Sequence, residues 1–191
     1  MKSMLIPMLA LVSGISLATA GCSKKDDTTT TDTATTATDT ASPAATSTAA
    51  ANDHASQFLT EAMKGDNSEV RVGKLAQDKG SSQGVKDFGK MLADDHGKHK
   101  DQVAQVAMAL NVPATDETKA EADAVYGKLQ GLSGAEFDKE FVSAMIDDHK
   151  KDIDAYQQEA GSGDAAQVTD LAKQTLPTLK KHLQTAQSLQ K

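Results

Sequence analysis

The chain has 191 residues and a formal charge of −7, with no Trp, four Phe and two Tyr. An acidic surface repels phosphates and so few rings leave little for base stacking, which argues against nucleic acid as a partner. The single cysteine excludes an internal disulfide framework.

The first 21 residues read as an export signal. Lys2 supplies a positive start, Met4 to Leu17 form a short apolar run broken by Pro7, Ser13 and Gly14, and small residues follow. Two processing sites overlap there. Ala18-Thr19-Ala20 fits an ordinary cleavage site before Gly21, whereas Thr19-Ala20-Gly21-Cys22 resembles a lipobox, with Thr19 in place of the usual Leu. The expectation is acylation of Cys22, because the one cysteine falls where a lipid attaches. The apolar run is short for a bilayer core about 30 Å thick, so an uncleaved anchor is the weaker reading. Ser23 after the cysteine resembles the sorting signal for the outer membrane, which places the protein in the periplasm on a lipid.

Residues 22–51 then form the lipidated cysteine and a tether of Thr, Ala, Ser and Asp with one proline, Pro43. Such composition cannot bury enough apolar surface to offset chain entropy, so disorder is expected. A flexible coil of that length spans roughly 30 Å.

Residues 52–191 suit one domain with one core. Gly and Pro fall between long stretches of helical period, and no run alternates as a strand would. Asn52 or Asp53 caps a first helix that reaches Lys79 and stops at Gly80. Ser81 or Ser82 starts a second, which fades near Leu110 before Pro113. A shorter helix from Asp116 to Gln130 forms a crossover. Ser133-Gly134-Ala135-Glu136 reads as a capping box opening a third long helix that ends before Gly161 and Gly163. Asp164 is the expected cap of a fourth, with Pro177 inside it, where the missing backbone donor predicts a kink. The expected fold is therefore all-α, a ferritin-like four-helix bundle with a long helical crossover between the second and third long helices.

The second and third long helices share a pattern. Phe88 to His96 ends in Asp94-Asp95-His96, Phe141 to His149 ends in Asp147-Asp148-His149, and Lys98 and Lys151 follow two positions on. If the crossover returns the chain to the same end, both motifs sit at one level of the bundle.

Helical phase, about 100° per residue, decides which polar residues face inward. His99 falls near the centre of the apolar face of the second helix, with Asp95 and His96 to either side and Asp94 pointing away. His149 and Asp152 lie within the face of the third, Asp148 at its edge. Asp66 and Glu69 share the stripe of Phe58, Ala62 and Val70, while His182 borders Leu179, Leu183 and Ala186. Residue counting sets Asp66 opposite Asp95 and leaves His182 about 10 Å off the level of His149, from a rise of 1.5 Å per residue. His54 reads as surface. Inward partners of the carboxylates are histidines, with lysines mostly outside the stripes.

Buried carboxylates are costly unless paired or metal-bound. Three readings stay open: a transition-metal site of His and carboxylates between facing helices, a structural Asp–His network, or simply wet bundle edges. The metal candidates are Glu69, Asp95, His96, His149 and His182, with Asp66, His99, Asp148 and Asp152 secondary. The methionines read as core filler, and copper is a minor option. Catalytic motifs are thin: no P-loop or H-E-x-x-H occurs in the sequence. An enzyme is therefore the less favoured class, against an envelope module that binds a metal or a protein partner.

Phe58-Leu59, Glu69-Val70, Gly73 to Ala76, Val85-Lys86, Phe88, Met91, Asp95-His96, Leu132 to Gly134, Phe137-Asp138, His149, Leu176-Pro177, Leu179 and His182-Leu183 together resemble the bacterial domain-of-unknown-function family numbered 4142, often labelled outer-membrane proteins and grouped with the ferritin-like folds. The resemblance covers residues 53–190. It implies a ferritin-like bundle in the cell envelope and carries no established activity. Glu69, Asp95, His96, His149 and His182 match the family's polar positions. The Glu-x-x-His pattern of di-iron ferritins is absent, so ferroxidase chemistry is not implied.

Overall fold

The computed structural model describes residues 51–190. The export signal, Cys22 and most of the tether lie outside the described residues.

Five helices make up the domain: α1 (Asp53–Lys79), α2 (Gln83–Ala109), α3 (Ala120–Gln130), α4 (Gly134–Ala160) and α5 (Ala166–Leu189). The start of α1 is the expected one, with the Asn52 side chain accepting a hydrogen bond from the Ala55 amide at 2.7 Å. Ser82 caps α2 in the same way through the Val85 amide. Two caps differ from expectation. Ser133 precedes α4 but makes no side-chain cap bond. Gly134 takes φ +62, so the chain enters the helix through a left-handed residue instead of the extended-to-helical step of a capping box. Asp164 does not cap α5 either. Its carboxylate is taken by the Asn52 amide at 2.7 Å and by His54 Nδ1 at 2.6 Å, and Ala165 occupies the cap position. α5 then runs through Pro177 without a break.

The crossover helix is shorter than predicted. Residues 112–119 run without helix along α1, because Asn67 Nδ2 donates to the Thr115 and Glu117 carbonyls and Ser68 Oγ accepts from the Lys119 amide. Those bonds hold the backbone groups that a helix would otherwise pair. α3 is fixed against α1 by Arg71, which pairs with Asp123 at 2.6 Å and lies over the Tyr126 ring.

The long helices form the expected four-helix bundle. α1 packs along α2 and α4 along α5, while α2 meets α5 and α1 meets α4. Gly73 and Gly89 let α1 and α2 approach backbone to backbone: a Cβ on Gly73 would stand 2.6 Å from the Gly89 carbonyl oxygen, and one on Gly89 equally close to that of Gly73.

The core is split in two. One apolar cluster joins Leu59, Met63, Val103, Tyr156 and Val168 at one end of the bundle. The other joins Phe88, Leu92, Phe137, Phe141 and Met145 at the opposite end. Between them lies a layer of buried polar groups, Asp66, Glu69, His96, His99, His149 and His182. Each apolar end supplies the burial that orders the helices and so fixes the polar layer between them.

Candidate metal centre

Three histidines from three helices converge in this layer. His96 of α2, His149 of α4 and His182 of α5 each offer a ring nitrogen, and these nitrogens lie within 4.8 Å of one another. The repeated Asp-Asp-His motifs thus do sit at one level, with the His96 and His149 ring centres 5.8 Å apart. Asp94 and Asp147 are exposed, as their helical phase requires.

The far nitrogen of each ring is tied to a hydrogen-bond acceptor. His149 Nδ1 faces the Met145 carbonyl oxygen at 3.0 Å. His182 Nε2 faces Asp95 Oδ2 at 3.1 Å. His96 Nδ1 faces Asp66 Oδ1 at 2.9 Å. A carbonyl or carboxylate oxygen only accepts, so each of these nitrogens carries the proton. In the neutral rings that leaves His149 Nε2, His182 Nδ1 and His96 Nε2 as lone pairs. Two of them, on His149 and His182, are 3.3 Å apart, and His96 Nε2 is buried with no partner among the described residues.

Electrostatics favours the neutral rings of His149 and His182. Burial pushes His149 down to about 3, with His96 and His182 adding to the effect. Burial also lowers His182, against the bond to Asp95. Asp66 is held low: burial opposes its ionisation, but hydrogen bonds from His96 and His99 outweigh that cost. Asp95 follows the same pattern through His182.

His182 is therefore a full member of the cluster, contrary to its predicted offset. Side chains on a helix lean toward its N-terminus. Across the antiparallel α4–α5 pair, His182 leans toward the turn and His149 leans away from it, which closes the gap that Cα counting leaves. The same lean explains why Asp66 does not meet Asp95. It reaches instead to His96 and His99, farther from the α1–α2 turn, and Asp95 turns to α5.

The other candidates divide by position. His99 has both nitrogens committed, Nδ1 to Asp66 and Nε2 to Thr175 Oγ1, each at 2.9 Å. Glu69 stands on the opposite side of His149, with Oε1 4.0 Å from Nδ1, beside Asp148. Burial and the neighbouring Asp148 push the Glu69 carboxyl well up; burial opposes ionisation of Asp148 too, but bonding to Glu69 and the charge of Lys119 hold it down. Asp152 pairs with Lys119 at 2.9 Å. His54 is exposed yet bonded to Asp164.

Sequence reasoning missed two of these groups. Lys119 fell inside the predicted crossover helix, whereas it precedes α3 and its side chain inserts where Gly65 leaves room. Thr175 stands seven residues before His182 on one face of α5, a spacing that could have found it. A cavity of about 330 Å³ between α2 and α5 reaches the cluster, lined in part by Asp95, His96, Gln102, Gln174, Thr175 and His182.

The family model for the domain of unknown function (DUF4142) matches residues 40–189, and the chain belongs to that family. No curated protein matches the sequence at a significant level. The chain is similar in fold to a solved structure titled "Crystal structure of DUF305 fragment from Deinococcus radiodurans", with a TM-score of 0.66 at 13% identity, over 74% of this chain and 97% of that one. At that identity the likeness supports the helical fold alone.

Proposed function

We propose that this family member is a lipid-anchored protein of the bacterial cell envelope whose bundle binds one transition-metal ion on His96, His149 and His182. The observation that carries the metal is the set of three convergent lone pairs, each left free because the opposite ring nitrogen donates to an oxygen acceptor. Histidine ligands in metal sites are oriented in this way, by a carboxylate or a backbone carbonyl on the second nitrogen. Two nitrogens on one tetrahedral ion with bonds of about 2.0–2.1 Å lie about 3.4 Å apart, close to the spacing of His149 and His182. Imidazole suits Zn, Cu, Fe and Ni. A fourth position would face the cavity between α2 and α5, where water or a small polar ligand can enter. What the site supports is binding, and no reaction is assigned to it.

The anchor rests on the lipobox-like Thr19 to Cys22, and the outer-membrane address on Ser23. No described helix is long and apolar enough to cross a membrane. Replacing Cys22 by Ser should abolish uptake of a labelled fatty acid; unchanged labelling, or none in the wild type, removes the anchor from the reading.

For the metal, stripped protein titrated with Co(II) should develop the intense visible bands of a tetrahedral site, and His149→Ala should lose them. Failure of the wild type to bind Co(II) or Zn(II) above background sinks the proposal. A structural network is the second reading, favoured by His99, whose two nitrogens are satisfied by Asp66 and Thr175. Under it the histidine variants would change melting temperature alone.

A further inference from the structure

The cleft on the other side of His149 has a different chemistry. Glu69 is 2% exposed, and its Oε2 is buried with no hydrogen-bond partner among the described residues. An oxygen of Asp148 lies within 4.8 Å of a Glu69 oxygen. Both side chains line a cleft of about 260 Å³ between α1, α3 and α4, whose other charged residues are Glu121, Glu140, Asp147 and Lys151. Glu140 is drawn to Lys128 at 2.6 Å, which leaves the inner pair to face the cleft.

We propose that Glu69 and Asp148 hold a second ion, a hard divalent cation such as Mn²⁺, Mg²⁺ or Ca²⁺, coordinated by carboxylate oxygens and water from this cleft. The site is separate from the histidine cluster. His149 Nδ1 already donates to the Met145 carbonyl, so the imidazole presents its lone pair to the trio and a wall to the carboxylates. Oxygen-only donors with room for water select hard cations over the metals that imidazole prefers.

Charge balance points the same way. Glu69, Asp148 and Asp152 are three carboxylates with Lys119 as their close ammonium group. All ionised, they leave two uncompensated negative charges in a largely buried space, which burial makes costly. One divalent cation neutralises both. A proton shared between Glu69 and Asp148 neutralises only one of the two.

The test uses the mature protein, stripped of metal and preloaded with one equivalent of Zn(II), titrated with Mn(II) and followed by loss of the free Mn(II) electron paramagnetic resonance signal. Glu69→Gln, isosteric with the protonated acid, should weaken Mn(II) binding about tenfold or more, and Asp148→Asn should do the same. The rim change Asp147→Asn should leave the affinity within about twofold. His96→Ala, which dismantles the trio, should retain Mn(II). Equal binding by Glu69→Gln and wild type overturns the inference, as does wild-type protein that leaves the Mn(II) signal unchanged. Loss of Mn(II) in His96→Ala alone would overturn it too, by assigning that ion to the histidines. Because the trio is read with Co(II) and the carboxylate pair with Mn(II), failure of one site is seen apart from failure of the other.

Discussion

Nε2 of His149 and Nδ1 of His182 stand 3.3 Å apart, although each ring's other nitrogen donates its proton elsewhere, to the Met145 carbonyl and to Asp95. Two lone pairs at that distance repel unless a cation or a proton lies between them. Asp95 fixes one of them, since its carboxylate decides which His182 nitrogen is protonated. Replacing Asp95 by Ala should therefore weaken Co(II) binding about 10–100-fold while the helices stay intact. Spectrophotometric titration measures this, with circular dichroism as the check on folding.

The same rings should make the metal-free protein acid-labile. His149 is pushed down to about 3 in the folded state from an ordinary 6.5, so between those values the unfolded chain binds a proton that the folded chain refuses. Stability then rises with pH through that window. Asp66, held below 3.8, acts in the same direction: its contribution is present above 3.8 and is lost as pH falls through its lowered folded value. Urea denaturation of metal-free protein at pH 4, 5, 6 and 7 should show increasing stability, with a shallower slope in His149→Gln. An unchanged slope would show that this ring does not titrate as its burial requires.

The contact of Gly73 with Gly89 predicts opposite outcomes for similar changes. Gly73→Ala puts a methyl 2.6 Å from a backbone oxygen, so α1 and α2 must separate, at a cost of about 1–3 kcal/mol. Gly127→Ala, in α3 with nothing within 4 Å of the new atom, should instead stabilise by up to about 1 kcal/mol through helix propensity. Thermal or urea unfolding of the two variants side by side tests the contrast.

His54 and Asp164 clasp the start of α1 to the start of α5 at 2.6 Å. The bond to Asp164 raises His54, and bonds from Asn52 and His54 lower Asp164. The clasp contributes fully between the ordinary values of 3.8 and 6.5. It weakens above that window as His54 loses its proton at its raised value, and below it as Asp164 gains one at its lowered value. Hydrogen exchange at the first amides of α1 should be slower in wild type than in His54→Gln near pH 5.5. The difference should narrow as pH rises above 6.5 through the raised value of His54.

Much of this fold is legible in the sequence because its punctuation is local. Asn52, Gly80, Ser82 and Gly161 act through their own backbone neighbours, so they mark α1, α2 and the end of α4 correctly. Ser133 and Asp164 failed as caps for two different reasons. A left-handed Gly134 redirected the chain in one case, and residues more than a hundred positions away claimed the carboxylate in the other. Lys119 was invisible because of such a distant claim, since its position is set by Asn67 and Ser68 of α1.

For the candidate centre, helical phase alone determined that His96, His99, His149, His182, Asp66 and Glu69 face inward, because a period of 3.6 residues fixes direction around an axis. The repeated Asp-Asp-His motif also set His96 and His149 at one level. Which of these groups meet was left to the tertiary structure. Meeting depends on antiparallel side-chain lean and on competing acceptors: Thr175 occupies His99, Lys119 occupies Asp152, and the Met145 carbonyl turns His149 so that one nitrogen faces His182. Those are contacts between helices, and a one-dimensional pattern carries no distance between them.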